Sequence, residues 1–156
     1  MNQPTISLTV RNEITVEASQ ERAFEVFTAE IGTWWPLADK TIGDAEAEIA
    51  IIEPRAGGRW YERGVDGSES EWGTVIAYEP SDRLVLDWQI SAGWAYDPEL
   101  HTEIEVRFIA ETEERTRVEL EHRGLEAYGG DAEQMRQIFA SPDGWSGILA
   151  DYGKAS

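Results

Sequence analysis

Six consecutive segments in which apolar and polar residues alternate constrain this chain more than any other feature. They cover residues 46–53, 58–63, 71–79, 83–91, 101–110 and 115–123. A period of two predicts β-strands with one buried face and one face toward solvent. Because the connections between the segments are short, neighbouring strands are expected to run antiparallel, as a meander.

Turn residues support these strand boundaries. Asp66-Gly67 is a hairpin dipeptide, residues 80–82 (Pro-Ser-Asp) fit a type I turn, and residues 111–114 form a polar connection. In the last two strands, Ile104 and Val118 belong to apolar rows that alternate with charged residues. The sheet is therefore predicted to have one solvated face and one covered face.

Helices are predicted on both sides of the meander. A first strand, Ile6 to Val16, is followed by Ser19, a helix N-cap, and by a short amphipathic helix that ends by Gly32. Near the other end, Asp131 begins a helix, and Ser141-Pro142 predicts a second N-cap with proline at the first helical position. The residues that follow it form one apolar stripe about twelve residues long: Trp145, Ile148, Leu149 and Tyr152.

This order of elements predicts an α+β fold in which a curved, seven-stranded antiparallel sheet encloses a C-terminal helix. Two short helical turns follow the first strand, and Pro36 ends the second of them at Trp35. No repeat or linker divides the chain, so we expect a single domain over residues 1–156. The loops 36–45, 92–100 and 124–131 are candidates for carrying function.

Composition excludes several classes of function. With 31 acidic and 13 basic residues the net charge is −18, which disfavours nucleic acid and anionic membranes as partners. The only lysines are Lys40 and Lys154. There is no cysteine and there are two histidines, so we expect no thiol chemistry, metal or cofactor. No segment reaches the ~20 apolar residues of a membrane span, so we expect no membrane insertion and a cytoplasmic location.

The tryptophans indicate where a site would lie. Seven of them occur in 156 residues, and an indole suits either a packed core or the wall of an apolar pocket. Trp88 shares a strand face with Leu84, Leu86 and Ile90 and should point inward.

Several motifs together resemble a known family. They are the run Gly57 to Gly64 (GGRWYERG), Trp72 to Val75 (WGTV), Arg83 to Leu86 (RLVL) and His122 to Leu125 (HRGL). These residues resemble the homologues of the activator of heat-shock protein 90 ATPase, within the START-like, birch-pollen-allergen-like (SRPBCC) superfamily. The resemblance covers about residues 8–152. It implies a helix-grip fold, in which sheet and C-terminal helix enclose a pocket for a hydrophobic molecule, and it transfers no activity by itself.

Seven residues are the predicted pocket residues: Trp35, Trp60, Trp72, Trp88, Trp94, Phe108 and His122. His122 alternates with apolar residues toward the covered face, where it is either a satisfied core histidine or a proton donor or acceptor of a pocket. Glu62 shares a face with Trp60, so it is either a buried carboxylate with a raised pKa or, in the opposite register, a solvated one. His101 is expected to be exposed, and no catalytic residue is assigned, Ser146 included.

Three functions remain open at this point. The first is a binding module for a small hydrophobic or aromatic molecule. The second is a cyclase- or dehydratase-like enzyme that uses His122 and a pocket carboxylate. The third is a cochaperone-like interaction domain, with a protein partner or a homodimer, which requires an exposed apolar patch.

Overall fold

The computed structural model describes residues 8–156 and contains one seven-stranded antiparallel sheet. The strands are β1 (Val10–Val16), β2 (Ala47–Ile52), β3 (Arg59–Gly64), β4 (Glu69–Glu79), β5 (Arg83–Trp88), β6 (Thr102–Thr112) and β7 (Arg115–Arg123). Their order across the sheet is β1-β7-β6-β5-β4-β3-β2. Because consecutive strands from β2 to β7 are neighbours, the predicted meander is confirmed.

Helical segments cover the inner face of the sheet. They are α1 (Gln20–Thr28), α2 (Ile31–Trp34), a 3₁₀ helix (Leu125–Asp131), α3 (Ala132–Ala140), a π-helical turn (Pro142–Ser146) and α4 (Gly147–Ala155). Ser19 is the N-cap of α1, and its Oγ accepts a hydrogen bond from the backbone N–H of Arg22 at 3.1 Å. The predicted α+β helix-grip fold is thereby confirmed.

The register of the strands separates an inner face from an outer face. Ile104 pairs with His122 and Val106 with Leu120, and all four side chains are buried on the inner face. At Gly73 the backbone of β4 approaches the end of β5 so closely that a Cβ would lie 1.6 Å from the Asp87 carbonyl oxygen. Only glycine fits there.

The outer face carries a network of ion pairs centred on Glu105. Burial alone would raise the pKa of this carboxyl, but hydrogen bonds from Arg83, Arg123 and Arg107 lower it to about 2. A shallow groove of about 590 Å³ lies on this face and includes Arg11 in its lining. Arg11 is paired with Glu121 at 3.0 Å, and Arg107 with Glu105 at 3.1 Å, so these charges are already matched by neighbours.

Some predicted boundaries differ from the structure. The first strand begins at Val10, and Ile6 lies outside the described residues. The strand predicted over 83–91 ends at Trp88, after which Ile90 forms an isolated bridge to Tyr96. The predicted type I turn at 80–82 is wrong, because Ser81 has a φ of 67°, which a type II turn requires at that position.

The C-terminal helix is also less regular than predicted. Ser141 does not cap it with a side-chain hydrogen bond; its Oγ donates to the Ile138 carbonyl instead, at 2.7 Å. Gly144 has φ −85° and ψ −137°, outside the helical region. The apolar stripe that follows it is divided between the π-helical turn, which contains Trp145, and α4.

Candidate functional site

A cavity of about 360 Å³ lies between the end of β5 and the C-terminal helical segments. Its apolar walls come from β5 and the residues after it, α3, the π-helical turn and α4. The polar lining comes from the loop after α2 and from the π-helical turn. The lining residues are Trp35, Asp39, Lys40, Thr41, Ile42, Trp88, Ile90, Trp94, Ile138, Phe139, Asp143, Gly144, Trp145 and Ile148.

Trp88 forms the wall on the sheet side and is fixed by the 3₁₀ helix. Its Nε1–H donates to the Tyr128 hydroxyl at 3.0 Å, and that hydroxyl donates to the Ile90 carbonyl at 2.6 Å. Burial raises the pKa of the Tyr128 hydroxyl, so it stays protonated and can donate. The polar edge of the indole is therefore occupied, and its ring is held at the wall of the cavity.

Trp145 lines the cavity beside Trp88, with the two ring centroids 5.8 Å apart, and is held by His122. Its Nε1–H donates to His122 Nδ1 at 3.0 Å. Because Nδ1 accepts, the proton of the neutral imidazole lies on Nε2, which is 2.9 Å from the Thr102 hydroxyl. That hydroxyl in turn donates to the Trp88 carbonyl at 2.9 Å. One chain of hydrogen bonds thus links the two indole walls.

His122 has the geometry of a core histidine. It is fully buried, both ring nitrogens have partners, and burial lowers its pKa to about 3. Trp88, Phe139 and Trp145 surround its ring, and no carboxylate of residues 8–156 contacts it. Its role here is to orient Trp145.

Trp35 forms a third wall and is attached to the loop 36–45. Its Nε1–H donates to the Lys40 carbonyl at 2.9 Å, and the Lys40 N–H donates to the Pro36 carbonyl at 2.9 Å. The N–H of Ile42 donates to Glu62 Oε1 at 2.6 Å. These bonds fix the loop that supplies most of the polar lining.

Glu62 lies on the inner face, as the first of its two predicted registers requires. It is 1 % exposed, and Oε1 also accepts from Trp72 Nε1–H at 2.9 Å. It does not line the cavity and is not in contact with His122. The pair of His122 and a pocket carboxylate that the enzyme hypothesis requires is therefore not formed by Glu62.

Trp94 stands at the mouth of the cavity. It is 46 % exposed and has a φ of 61°, in the left-handed region that bulky residues rarely adopt. Its N–H donates to the Ser91 carbonyl at 2.9 Å, within the loop that Ile90 and Tyr96 close by their bridge. An exposed indole on strained backbone contributes little to stability, which is a reason to look for a functional role.

The structure brings three of the seven predicted pocket residues to the cavity, namely Trp35, Trp88 and Trp94. The other four are buried elsewhere on the inner face: Trp60, Trp72, Phe108 and His122. Trp60 packs edge-on against Trp35 and Trp72, and its buried Nε1–H has no hydrogen-bond partner among the described residues.

The interior of the protein has two distinct aromatic regions. The hollow end is the cavity bounded by Trp35, Trp88, Trp94 and Trp145. The filled end is the cluster of Phe24, Phe27, Trp34, Phe108 and Tyr152, whose neighbouring rings lie 5.1–5.8 Å apart, edge-on or tilted. Phe108 belongs to the filled end. Trp145 was predicted only as part of an apolar stripe, and Lys40 and Tyr128 only as members of the candidate loops 36–45 and 124–131; the scarcity of lysine was a further signal for Lys40.

Residues 8–156 contain neither a candidate metal site nor a candidate membrane-spanning helix. No group of three His, Cys, Asp or Glu side chains in this range could hold a metal ion. None of the helices in the same range is both long and apolar enough to cross a bilayer.

Comparisons with known proteins agree with the helix-grip fold. The profile of the family described as "Activator of Hsp90 ATPase homolog 1-like protein" matches residues 17–150. The chain belongs to this family, which confirms the resemblance. A comparison with curated proteins finds no match.

Among solved structures, an anthrahydroquino-gamma-pyrone synthase, Txn09, in complex with SUM, is 34 % identical, with a TM-score of 0.66. The match covers 95 % of this chain and 96 % of that one. CalC, a self-sacrificing resistance protein from Micromonospora echinospora, is 29 % identical with a TM-score of 0.70, covering 94 % and 92 %. The protein NE0264 from Nitrosomonas europaea is 9 % identical with a TM-score of 0.63, over 94 % and 92 % of the two chains, and shares the fold alone.

Proposed function

We propose that this protein binds a flat aromatic or hydrophobic small molecule at the hollow end. The observation that carries the proposal is the cavity of about 360 Å³ with four indoles in its lining. Its volume lies within the ~300–1,000 Å³ range of small-molecule sites. Large apolar surfaces with a few polar groups at one side are what such sites use for affinity and orientation.

The hydrogen bonding of the indoles indicates what the ligand offers. Trp35, Trp88 and Trp145 donate their N–H groups to protein acceptors. They therefore contribute ring surface rather than hydrogen bonds, and ring surface is best matched by another flat ring at 4.5–7 Å. The name of the 34 % identical neighbour specifies a fused aromatic compound, which supports the same ligand class.

A fluorescence titration with the uncharged probe N-phenyl-1-naphthylamine tests the proposal. The probe should bind the native protein and quench tryptophan emission. Ile138→Trp, at a half-buried position in the lining, should weaken binding at least about tenfold by filling the cavity. Gln137→Trp adds the same side chain at an exposed neighbouring position of α3 and should leave the affinity within about twofold. Equal affinities for the two variants would contradict the site.

An enzyme is the second candidate, and the printed name of the same neighbour, a synthase, favours it. His122 has both nitrogens engaged and Glu62 lies outside the lining, so neither supplies the acid or base. The titratable side chains that line the cavity are Asp39, Lys40 and Asp143. Replacing each of these in turn, with turnover of an aromatic substrate as the readout, separates catalysis from binding. A cochaperone-like role stays a prediction.

A further inference from the structure

The distribution of ion pairs sets Lys40 apart from the other cations. The chain has 13 basic residues, two of which are lysines. Each of the eleven arginines forms an ion pair with a glutamate within 4.0 Å. Within residues 8–156, neither lysine has such a partner. In a chain with net charge −18, an unpaired cation requires a reason.

For Lys154 the fold supplies that reason. Lys154 lies in the last turn of α4, where a positive charge interacts favourably with the helix dipole and with the last carbonyl groups. Lys40 lies in the loop 36–45, outside any helix. The helix dipole therefore does not account for it.

The fold fixes Lys40 beside the aromatic walls. Its carbonyl accepts from the indole of Trp35 and its N–H donates to Pro36, both at 2.9 Å. Lys40 is half-buried and lines the cavity. Two exposed carboxylates, Asp39 and Asp143, line the same cavity, yet no ion pair of 4.0 Å or less joins either of them to Lys40.

We infer that Lys40 recognises an anionic oxygen on the aromatic ligand, such as a phenolate, carboxylate or sulfonate. An ammonium group on a half-buried lysine without an ion-pair partner gains from an acceptor brought by the ligand. The apolar walls then hold the rings, and Lys40 sets their orientation by binding the charged end. This inference rests on the proposed function and adds the polar half of the ligand to it.

Two probes with the same ring skeleton test it. 1-Anilinonaphthalene-8-sulfonate carries a sulfonate, and N-phenyl-1-naphthylamine is its uncharged counterpart. Lys40→Met should weaken binding of the sulfonate probe about five- to tenfold more than it weakens binding of the uncharged probe, and an equal loss for the two probes would overturn the inference. Lys40→Arg, which keeps the charge, should restore most of the affinity for the sulfonate probe.

The matched control is Lys154→Met, which changes the net charge by the same amount away from the cavity. It should leave both affinities within about twofold at low ionic strength. If Lys40→Met and Lys154→Met reduce sulfonate binding equally, the effect is one of net charge and the inference is overturned. Unchanged sulfonate binding in Lys40→Met overturns it as well. If the uncharged probe does not bind the native wild-type protein, the proposed function itself fails.

Discussion

At the filled end of the interior, the rings of Phe24, Phe27, Phe108 and Tyr152 contact one another and do not line the cavity, whereas at the hollow end Trp35, Trp88 and Trp145 also contact one another but line the cavity. Both ends use large aromatic side chains on the inner face of the same sheet. Residue type therefore does not decide which end is hollow.

The two ends differ in what covers them. Over the filled end lies α1, a regular helix capped by Ser19, and Tyr152 Oη donates to the Ala23 carbonyl at 2.8 Å to hold α4 against it. Over the hollow end lie the loop 36–45 and two helices, α3 and α4, which are separated by the π-helical turn with its non-helical Gly144. A regular helix presents a continuous apolar face that packs to high density. At the hollow end, the loop 36–45 and the interruption at Gly144 break that continuity, and the cavity lies beside them.

The filled end should control stability without affecting binding. Phe27→Ala removes a ring that is 2 % exposed and contacts Trp34, Phe108 and Tyr152, so we expect it to lower the free energy of unfolding by about 3–5 kcal/mol. Affinity for the uncharged probe should stay within about twofold. Chemical denaturation and titration measure the two quantities. A stability loss below about 1 kcal/mol, or a large loss of affinity, would remove the distinction between the ends.

His122, which accepts the hydrogen bond from Trp145 at the hollow end, should make the stability of the protein depend on pH. Burial lowers the pKa of His122 to about 3, so the folded state keeps it neutral, while the unfolded chain takes up a proton below about 6.5. The contribution of neutral His122 to the free energy of unfolding is fully present above pH 6.5. As the pH is lowered from 6.5 to 3, this contribution falls by about 1.4 kcal/mol per pH unit.

His122→Asn removes this titration and serves as the comparison. The free energy of unfolding of the wild type should fall more steeply than that of the variant between pH 6.5 and 4. Urea denaturation across this range measures both slopes. The carboxylates are the same in both proteins, so they do not account for a difference between the slopes. Parallel slopes would mean that His122 titrates in the folded protein and is open to the cavity.

Trp60 and Trp72, which lie outside both the filled end and the hollow end, test how much a hydrogen bond of a buried indole contributes to stability. Trp72 donates to Glu62 at 2.9 Å, whereas the Nε1–H of Trp60 has no partner among the described residues. Trp72→Phe leaves a buried carboxylate without one of its donors, and Trp60→Phe removes an unsatisfied donor. We expect Trp72→Phe to cost about 1–2 kcal/mol more stability than Trp60→Phe. Denaturation midpoints in the reverse order would show that Trp60 has an acceptor.

The smallest effect on stability is expected at the mouth. Trp94→Gly relieves a φ of 61° and removes a half-exposed indole, so stability should stay the same or rise by up to about 1 kcal/mol. Affinity for the uncharged probe should nevertheless fall severalfold. Tyr96→Ala changes an exposed aromatic residue of the same loop that does not line the cavity and is the control. A variant that loses stability without losing affinity would make Trp94 a structural residue.

Local patterns in the sequence predicted the sheet well. Alternation along the last two strands placed Ile104, Val106, Val118 and Leu120 on the inner face, and the row of Leu84, Leu86 and Trp88 was placed correctly. These assignments succeed because a period of two depends only on neighbouring residues.

The site required information that no local pattern contains. Phe108 and Trp88 belong to equivalent inward rows, and only the positions of α1 and the π-helical turn assign one to the filled end and the other to the cavity. Ser141-Pro142 predicted a break ahead of the last helix, but the stripe from Trp145 to Tyr152 has helical spacing throughout, so the π-helical turn that contains Trp145 was not visible in it. The choice between the two roles of His122 depended on Trp145 and Thr102, which lie 23 and 20 residues away along the chain.

The central claim, that the hollow end is the binding site, is tested most directly by the indole N–H resonances. A two-dimensional ¹H–¹⁵N spectrum contains one such signal for each of the seven tryptophans. On titration with N-phenyl-1-naphthylamine, the signals of Trp35, Trp88, Trp94 and Trp145 should shift, because ring currents of the bound probe act at short range. The signal of Trp34, whose Nε1–H donates to the Val26 carbonyl at 2.7 Å at the filled end, should stay in place. Binding that moves Trp34 and leaves Trp88 and Trp145 unchanged would contradict the account.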